Sequence, residues 1–183
     1  MKHILIVLFA WMNVYTLAAQ DLYTCKNANI SLFSSAPLED IAANTSTGTS
    51  VYNATTGELV FSVNISSFRF KKSLMQEHFN SDYMESDKYP RATFKGKIQQ
   101  PIDVTKNGNY PITVLGELDV HGVKQTRTIP GSITINNGNI VMASEFMVKC
   151  VDHRIDIPKL VFHNIAETIK MNVSATYTPV KKS

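Results

Sequence analysis

Residues Phe68–Ile98 read FRFKKSLMQEHFNSDYMESDKYPRATFKGKI, and the hydrophobic period changes twice within them. Phe68 and Phe70 alternate with polar neighbours, as the end of a half-buried strand does. From Ser73 the spacing lengthens, and Leu74, Met75, His78 and Phe79 fall on one helical face. Ser73 and Gln76, three apart, have the pattern of a capping box, in which each side chain reaches the other's amide. The spacing therefore predicts a short helix opening at Ser73. Tyr89-Pro90 closes it, because the residue before a proline is driven out of the helical region. Arg91 to Ile98 alternates again, with Ala92, Phe94, Gly96 and Ile98 on one face. The unit is a strand, a short helix and a strand.

Outward from this unit the chain is strands and turns. Glu58 to Ser66 alternates most cleanly, with Leu59, Phe61, Val63 and Ile65 on one face. Leu22 to Phe33 reads as an imperfect first strand, and the Thr/Ser-rich Asn44 to Ser50 suits an extended conformation. Leu38 to Ala43 admits a helical turn. Downstream, Tyr110 to His121 places Ile112, Val114, Leu118 and Val120 together. Val123 to Pro130, Gly131 to Ile135, Ile140 to Val151 and Ile169 to Thr178 follow, with Asn136-Asn137-Gly138-Asn139 as a hairpin turn. Leu160 to Thr168 reads as a short helical connection. About eight strands at short spacing indicate an antiparallel sandwich or barrel.

Composition narrows the function. The chain has 183 residues, 44% of them hydrophobic and 18% charged, with a net charge of +3. That is one domain with a real core, and the scattered Lys and Arg lack the basic stripe of a nucleic-acid binder. Lys71-Lys72 and Lys181-Lys182 read as solvated ends. Residues 1–19 have a basic start, an apolar run from Ile4 to Met12 and small residues at Ala18-Ala19, the outline of a secretory signal peptide. The run falls short of the roughly 20 residues that span a bilayer. The expected organisation is a leader at residues 1–19 and one domain at residues 20–183, exported to the periplasm or secreted. Export allows a disulfide between Cys25 and Cys150; two buried free thiols are the other reading.

Catalytic patterns are sought and not found. His78, His121, His153 and His163 lack metal-ligand spacing, and His78 reads as a packed histidine, His121 as an exposed one. Asp152-His153 are strand neighbours and point to opposite faces. No nucleophile elbow or CxxC occurs. Glu39-Asp40 and the Glu117/Asp119 pair are carboxylate candidates, and Glu117 and Asp119 face solvent more simply than substrate. Sequons at Asn29, Asn44, Asn53, Asn64 and Asn172 read as chance in a chain rich in Asn, Ser and Thr. No enzyme is indicated, and no cofactor or metal site.

The order of segments resembles the YceI-like family. Leu74–Ile98 is similar to that family's helix followed by KYP-x-A-T-F between two barrel strands. Leu118–Lys124, LDVHGVK, is similar to its L-x-x-x-G-V segment, and Phe146–Pro158, FMVKCVDHRIDIP, to its closing segment. Where many members carry a histidine in the first strand, this chain has SLFSSA from Ser31. The resemblance implies an eight-stranded antiparallel lipocalin-like barrel, with a short helix near its mouth after the third or fourth strand. It also implies a non-enzymatic carrier that holds a long isoprenoid, polyprenyl or quinone-type, and exchanges it with a membrane without spanning one. Phe61, Val63, Ile65, Phe68, Phe94, Ile112, Val114, Phe146 and Val148 are then candidate walls of the lumen, and Leu74, Met75 and Phe79 its cap. The competing readings are an envelope structural or interaction protein whose barrel is filled, and a lipid hydrolase. Pairing into a homodimer stays open.

Overall fold

The computed structural model describes residues 22–35, 40–157 and 167–180. The expected leader at residues 1–19, Glu39, His163, most of the Leu160–Thr168 connection and Lys181-Lys182 lie outside these. Nine strands run in chain order: β1 (Leu22–Ser34), β2 (Ile41–Asn53), β3 (Glu58–Asn64), β4 (Arg69–Phe70), β5 (Arg91–Ile98), β6 (Gly108–Val120), β7 (Val123–Asn136), β8 (Asn139–Lys149) and β9 (Thr168–Pro179). All but β4 close an antiparallel barrel, in which β1 pairs with both β2 and β9. Closure pairs most of the strand edges that would otherwise template aggregation. β4 is a two-residue addition to β2, through Ala43↔Phe70 and Asn44↔Arg69.

Strands form where alternation is regular and bend where it is not. On β6, Ile112, Val114 and Leu118 are buried while Thr113, Leu115 and Glu117 point outward. β1 is irregular because its pairing with β2 slips twice, between Cys25 and Ile30. Each slip shifts the inward set along the chain, so Cys25, Ala28, Ile30 and Leu32 are all buried although their spacing is uneven. The expected strands either side of Pro130 are one, since Pro130 turns its missing N–H away from β6.

The short helix α1 spans Ser73–His78 and runs on as one π-helical turn, Phe79–Tyr83. It follows β4, but its expected capping box does not form. Lys72 rather than Ser73 occupies the cap position and makes no side-chain cap bond, and the Gln76 side chain accepts from the Phe70 amide at 3.4 Å instead. The bond ties the helix to β4 rather than closing its own first turn.

The barrel has two unlike ends. At the end bounded by the β2–β3 and β7–β8 turns, Tyr52 and Tyr177 are nearly inaccessible and pack edge to face at 6.2 Å, with Tyr23 beside Tyr52. The Tyr177 hydroxyl donates to Ser50 Oγ at 2.6 Å, and Ser50 donates on to the Val60 carbonyl at 2.8 Å. Burial pushes the Tyr52 phenol up to about 12 and raises Tyr177 as well. A phenol held neutral in the fold but ionising near 10 when unfolded stabilises the protein fully below pH 10, and that stability is lost as the pH rises towards 12. Alkaline titration followed by circular dichroism should therefore show stability falling between pH 10 and 12, by about 2–3 kcal/mol through Tyr52 alone and by more with Tyr177. Tyr52→Phe should flatten that fall.

Cys25 and Cys150 are both buried free thiols, so the disulfide reading is corrected. Topology gives the reason. Beside Cys25, Thr24 pairs with Thr178 at the far end of β9, whereas the Cys150 amide bonds the Glu167 carbonyl just before β9 begins. About ten residues of strand, some 30 Å, separate the two, and a disulfide needs Cα atoms within about 7 Å.

Candidate functional site: a hollow behind the helix

At the other end the interior is not filled. A cavity of about 590 Å³ occupies the half of the lumen nearest the helix, within the range of small-molecule sites. Its walls are almost wholly apolar. β3 and β5 contribute Phe61, Val63 and Phe94, and β6 contributes Ile112 and Val114. β8 contributes Phe146 and Val148, and the 3-10 turn after β3 contributes Ile65. Phe68, Met75 and Phe79 also line it, so eleven of the twelve candidate positions converge on one space.

Leu74 is the exception. It is 61% exposed and faces away from the cavity. The helix lines the cavity with Met75, His78, Phe79 and Tyr83, so three of the four residues on the expected face keep their place and Leu74 alone leaves it. Phe79 decides that rotation, since its ring packs at 4.9 Å from Phe70 and 5.9 Å from the buried Phe68. His78 is thus exposed at the rim and touches the cavity, rather than being packed in a core. Residues outside the candidate set complete the wall, notably Ile30, Leu32, Met171 and Val173 of β1 and β9. The slips of β1 concealed its share; the inward face of β9 was regular.

The segment after the helix is latched to the β6–β7 turn. His121, expected to be exposed, has a side chain only 9% accessible. One ring nitrogen lies 3.2 Å from the His153 carbonyl and the other 2.9 Å from the Glu85 carboxylate. The ring thus bridges the segment after the helix to the turn that follows β8. Tyr89 packs edge-on against the ring at 4.4 Å, and a side chain at Gly122 would strike Tyr89. Glu85→Gln is expected to weaken the latch by about 1 kcal/mol, since the carboxylate is partly exposed. Hydrogen exchange of the 79–90 amides should speed up several-fold while the strands stay protected.

Among the described residues, the polar groups singled out in the sequence pair with separate partners. Arg127 bonds Asp152 at 3.4 Å, and His153, fully buried, donates to the Val123 carbonyl at 3.0 Å. Asp152 and His153 therefore serve different partners. Glu117 pairs at the surface with Lys124 at 2.9 Å. Among the described residues no cluster of three metal-ligating side chains occurs, and no helix is long and apolar enough to cross a membrane.

Several solved structures share this fold. A polyisoprenoid-binding domain from Saccharophagus degradans, implicated in plant cell wall breakdown, superposes with a TM-score of 0.73 at 14% identity, covering 88% of this chain and all of that one. Burkholderia cenocepacia BcnA gives 0.71 at 14% identity over 82% and 96%. A Campylobacter jejuni YceI protein gives 0.56 at 14% identity over the whole of both chains. A comparison with curated protein sequences finds no match. The match that counts is to a family model: the YceI-like domain is recognised over residues 28–177, from the bulged middle of β1 to the tyrosine floor of β9, and the chain belongs to that family.

Proposed function

We propose that the protein is an exported, non-enzymatic carrier that holds the chain of an isoprenoid lipid, polyprenyl or quinone-type, in the hollow half of its barrel. The observation that carries this reading is the cavity of about 590 Å³, walled by aliphatic and aromatic side chains and closed below by packed tyrosines. An empty apolar space of that size forgoes dispersion contacts on all sides, and an apolar chain restores them. The polyisoprenoid-binding domain that shares the fold supports the choice of ligand class. The filled-barrel reading describes the tyrosine end alone.

Energetics favour exchange over permanent capture. Each CH₂ removed from water is worth about 0.8 kcal/mol, so a long prenyl chain taken from water would approach the affinity ceiling of roughly 20 kcal/mol. Its donor is a membrane, in which the chain is already dry. The net transfer is then small and reversible.

Native mass spectrometry of the protein purified from its own host envelope, with organic extraction of whatever accompanies it, tests the reading. A stoichiometric adduct that extracts as an isoprenoid supports it and identifies the lipid. A bare mass, with no uptake of added quinones or polyprenols, rejects it.

A further inference from the structure

One seam of the barrel lacks a ladder. β7 and β8 pair only from Ser132↔Ala143 to Asn136↔Asn139, near the tyrosine floor. Towards the helix, β7 continues to Val123 against β6 alone, and β8 continues to Lys149 against β9 alone. Two strand edges thus face each other for about six residues, some 20 Å. The fork falls at Pro130, which has no N–H to give, and Gly131, which has no side chain to fill the gap.

Side chains span the seam instead. Ser144 Oγ donates to the Pro130 carbonyl at 2.6 Å, and Arg127 donates to the Met147 carbonyl at 2.6 Å. Arg127 also reaches Asp152, and Gln125 donates to the Asp152 carbonyl at 2.9 Å. Side chains re-form such bonds by rotating, whereas a ladder breaks only when strands part. Pro130, Gly131, Ala143 and Ser144 line the lumen on one side, and on the other they line an outer groove of about 910 Å³. The wall between the two spaces is one residue thick.

The groove carries a larger share of polar groups than the lumen. Asn44, Ser31 and Asn172 lie side by side across β2, β1 and β9, and Asn29 lies beside Ser174. Among its described lining residues the one ionic group is Glu145, already paired with Lys170 at 2.9 Å. Amides and hydroxyls without a free cation suit a hydroxyl or carbonyl head rather than a phosphate.

We propose that the β7–β8 seam is a passage through the barrel wall: a chain lodged in the lumen enters and leaves through it, and its uncharged polar head lies in the outer groove. This rests on the carrier reading above. A β-carbon built on Gly131 lies 3.5 Å from Ser144 Cβ, at the short end of the disulfide range of about 3.5–4.5 Å, and 2.7 Å from the Ala143 carbonyl oxygen, so the unladdered edge must shift to admit it. The double variant Gly131→Cys, Ser144→Cys therefore places a reversible lock on the fork. The probes are geranylgeraniol and geranylgeranyl diphosphate, with uptake and release followed by stopped flow.

The oxidised variant should take up and release the alcohol at least ~10-fold more slowly than the same protein reduced with dithiothreitol, and the wild type should prefer the alcohol to the diphosphate. Equal rates in the two redox states overturn the passage and leave the helix end as the way in. A wild type that binds neither lipid overturns the carrier reading itself, and the passage with it. If the double variant fails to fold, Arg127→Ala takes its place: with two bridges removed, release should quicken several-fold, and an unchanged rate overturns the passage.

Discussion

Phe94→Ala is expected to cost the fold about 3–5 kcal/mol, a large share of the roughly 5–15 kcal/mol that keeps a domain folded. Phe94 is buried on the inner face of β5, opposite Phe61 on β3 and Leu118 on β6. Its ring lies flat over a patch where two strands carry no side chain. A β-carbon on Gly96 would approach the ring to 2.8 Å, and one on Gly116 would meet both the ring and the Lys95 carbonyl. Truncation therefore strips the cover from two glycines at once, and no neighbour can collapse into the space. The void merges with the lumen and enlarges it. Urea unfolding measures the loss, and a cost below ~1 kcal/mol would show that the ring is not packed in this way.

Ala92→Trp should do the reverse, sparing the fold and removing the function. Ala92 lies two residues before Phe94 on the same inner face, opposite Val63, and borders the cavity. A tryptophan there projects into vacant space rather than into a packed wall, so the usual overpacking cost of about 1–3 kcal/mol should shrink to its lower limit. Uptake of a prenol should fall at least ~10-fold, about 1.4 kcal/mol of lost affinity. Undiminished uptake by a folded variant would place the ligand elsewhere.

The local unit around the helix was legible because each of its signals is short-range. Tyr89-Pro90 ends the segment, and β3, β5 and β6 alternate without bulges, so Phe61, Val63, Phe94, Ile112 and Val114 could be assigned to one face. The choice between Leu74 and its neighbour could not be made locally. Leu74 and Met75 both lie in the apolar arc of the helix, and only the packing of Phe79 on Phe68 and Phe70 sets which of them faces the cavity. His121 misled for the same reason, since its carboxylate partner is 36 residues away. The capping box failed because Gln76 had a competing amide on β4. The cysteines required the register of β9, and the open seam depends on how two well-formed hairpins diverge, which no stretch of sequence records.

The closure of the sheet also sets the order in which the chain can fold. β1, the first strand described, completes its pairing only with β9, across a separation of 154 residues at Thr24 and Thr178. Loop-closure entropy makes such a contact slow to form. During synthesis β1 must wait, paired on one side with β2, its other edge open and the apolar lumen face uncovered. A nascent chain in that state is sticky, and the barrel becomes safe from its neighbours only when the last strand arrives.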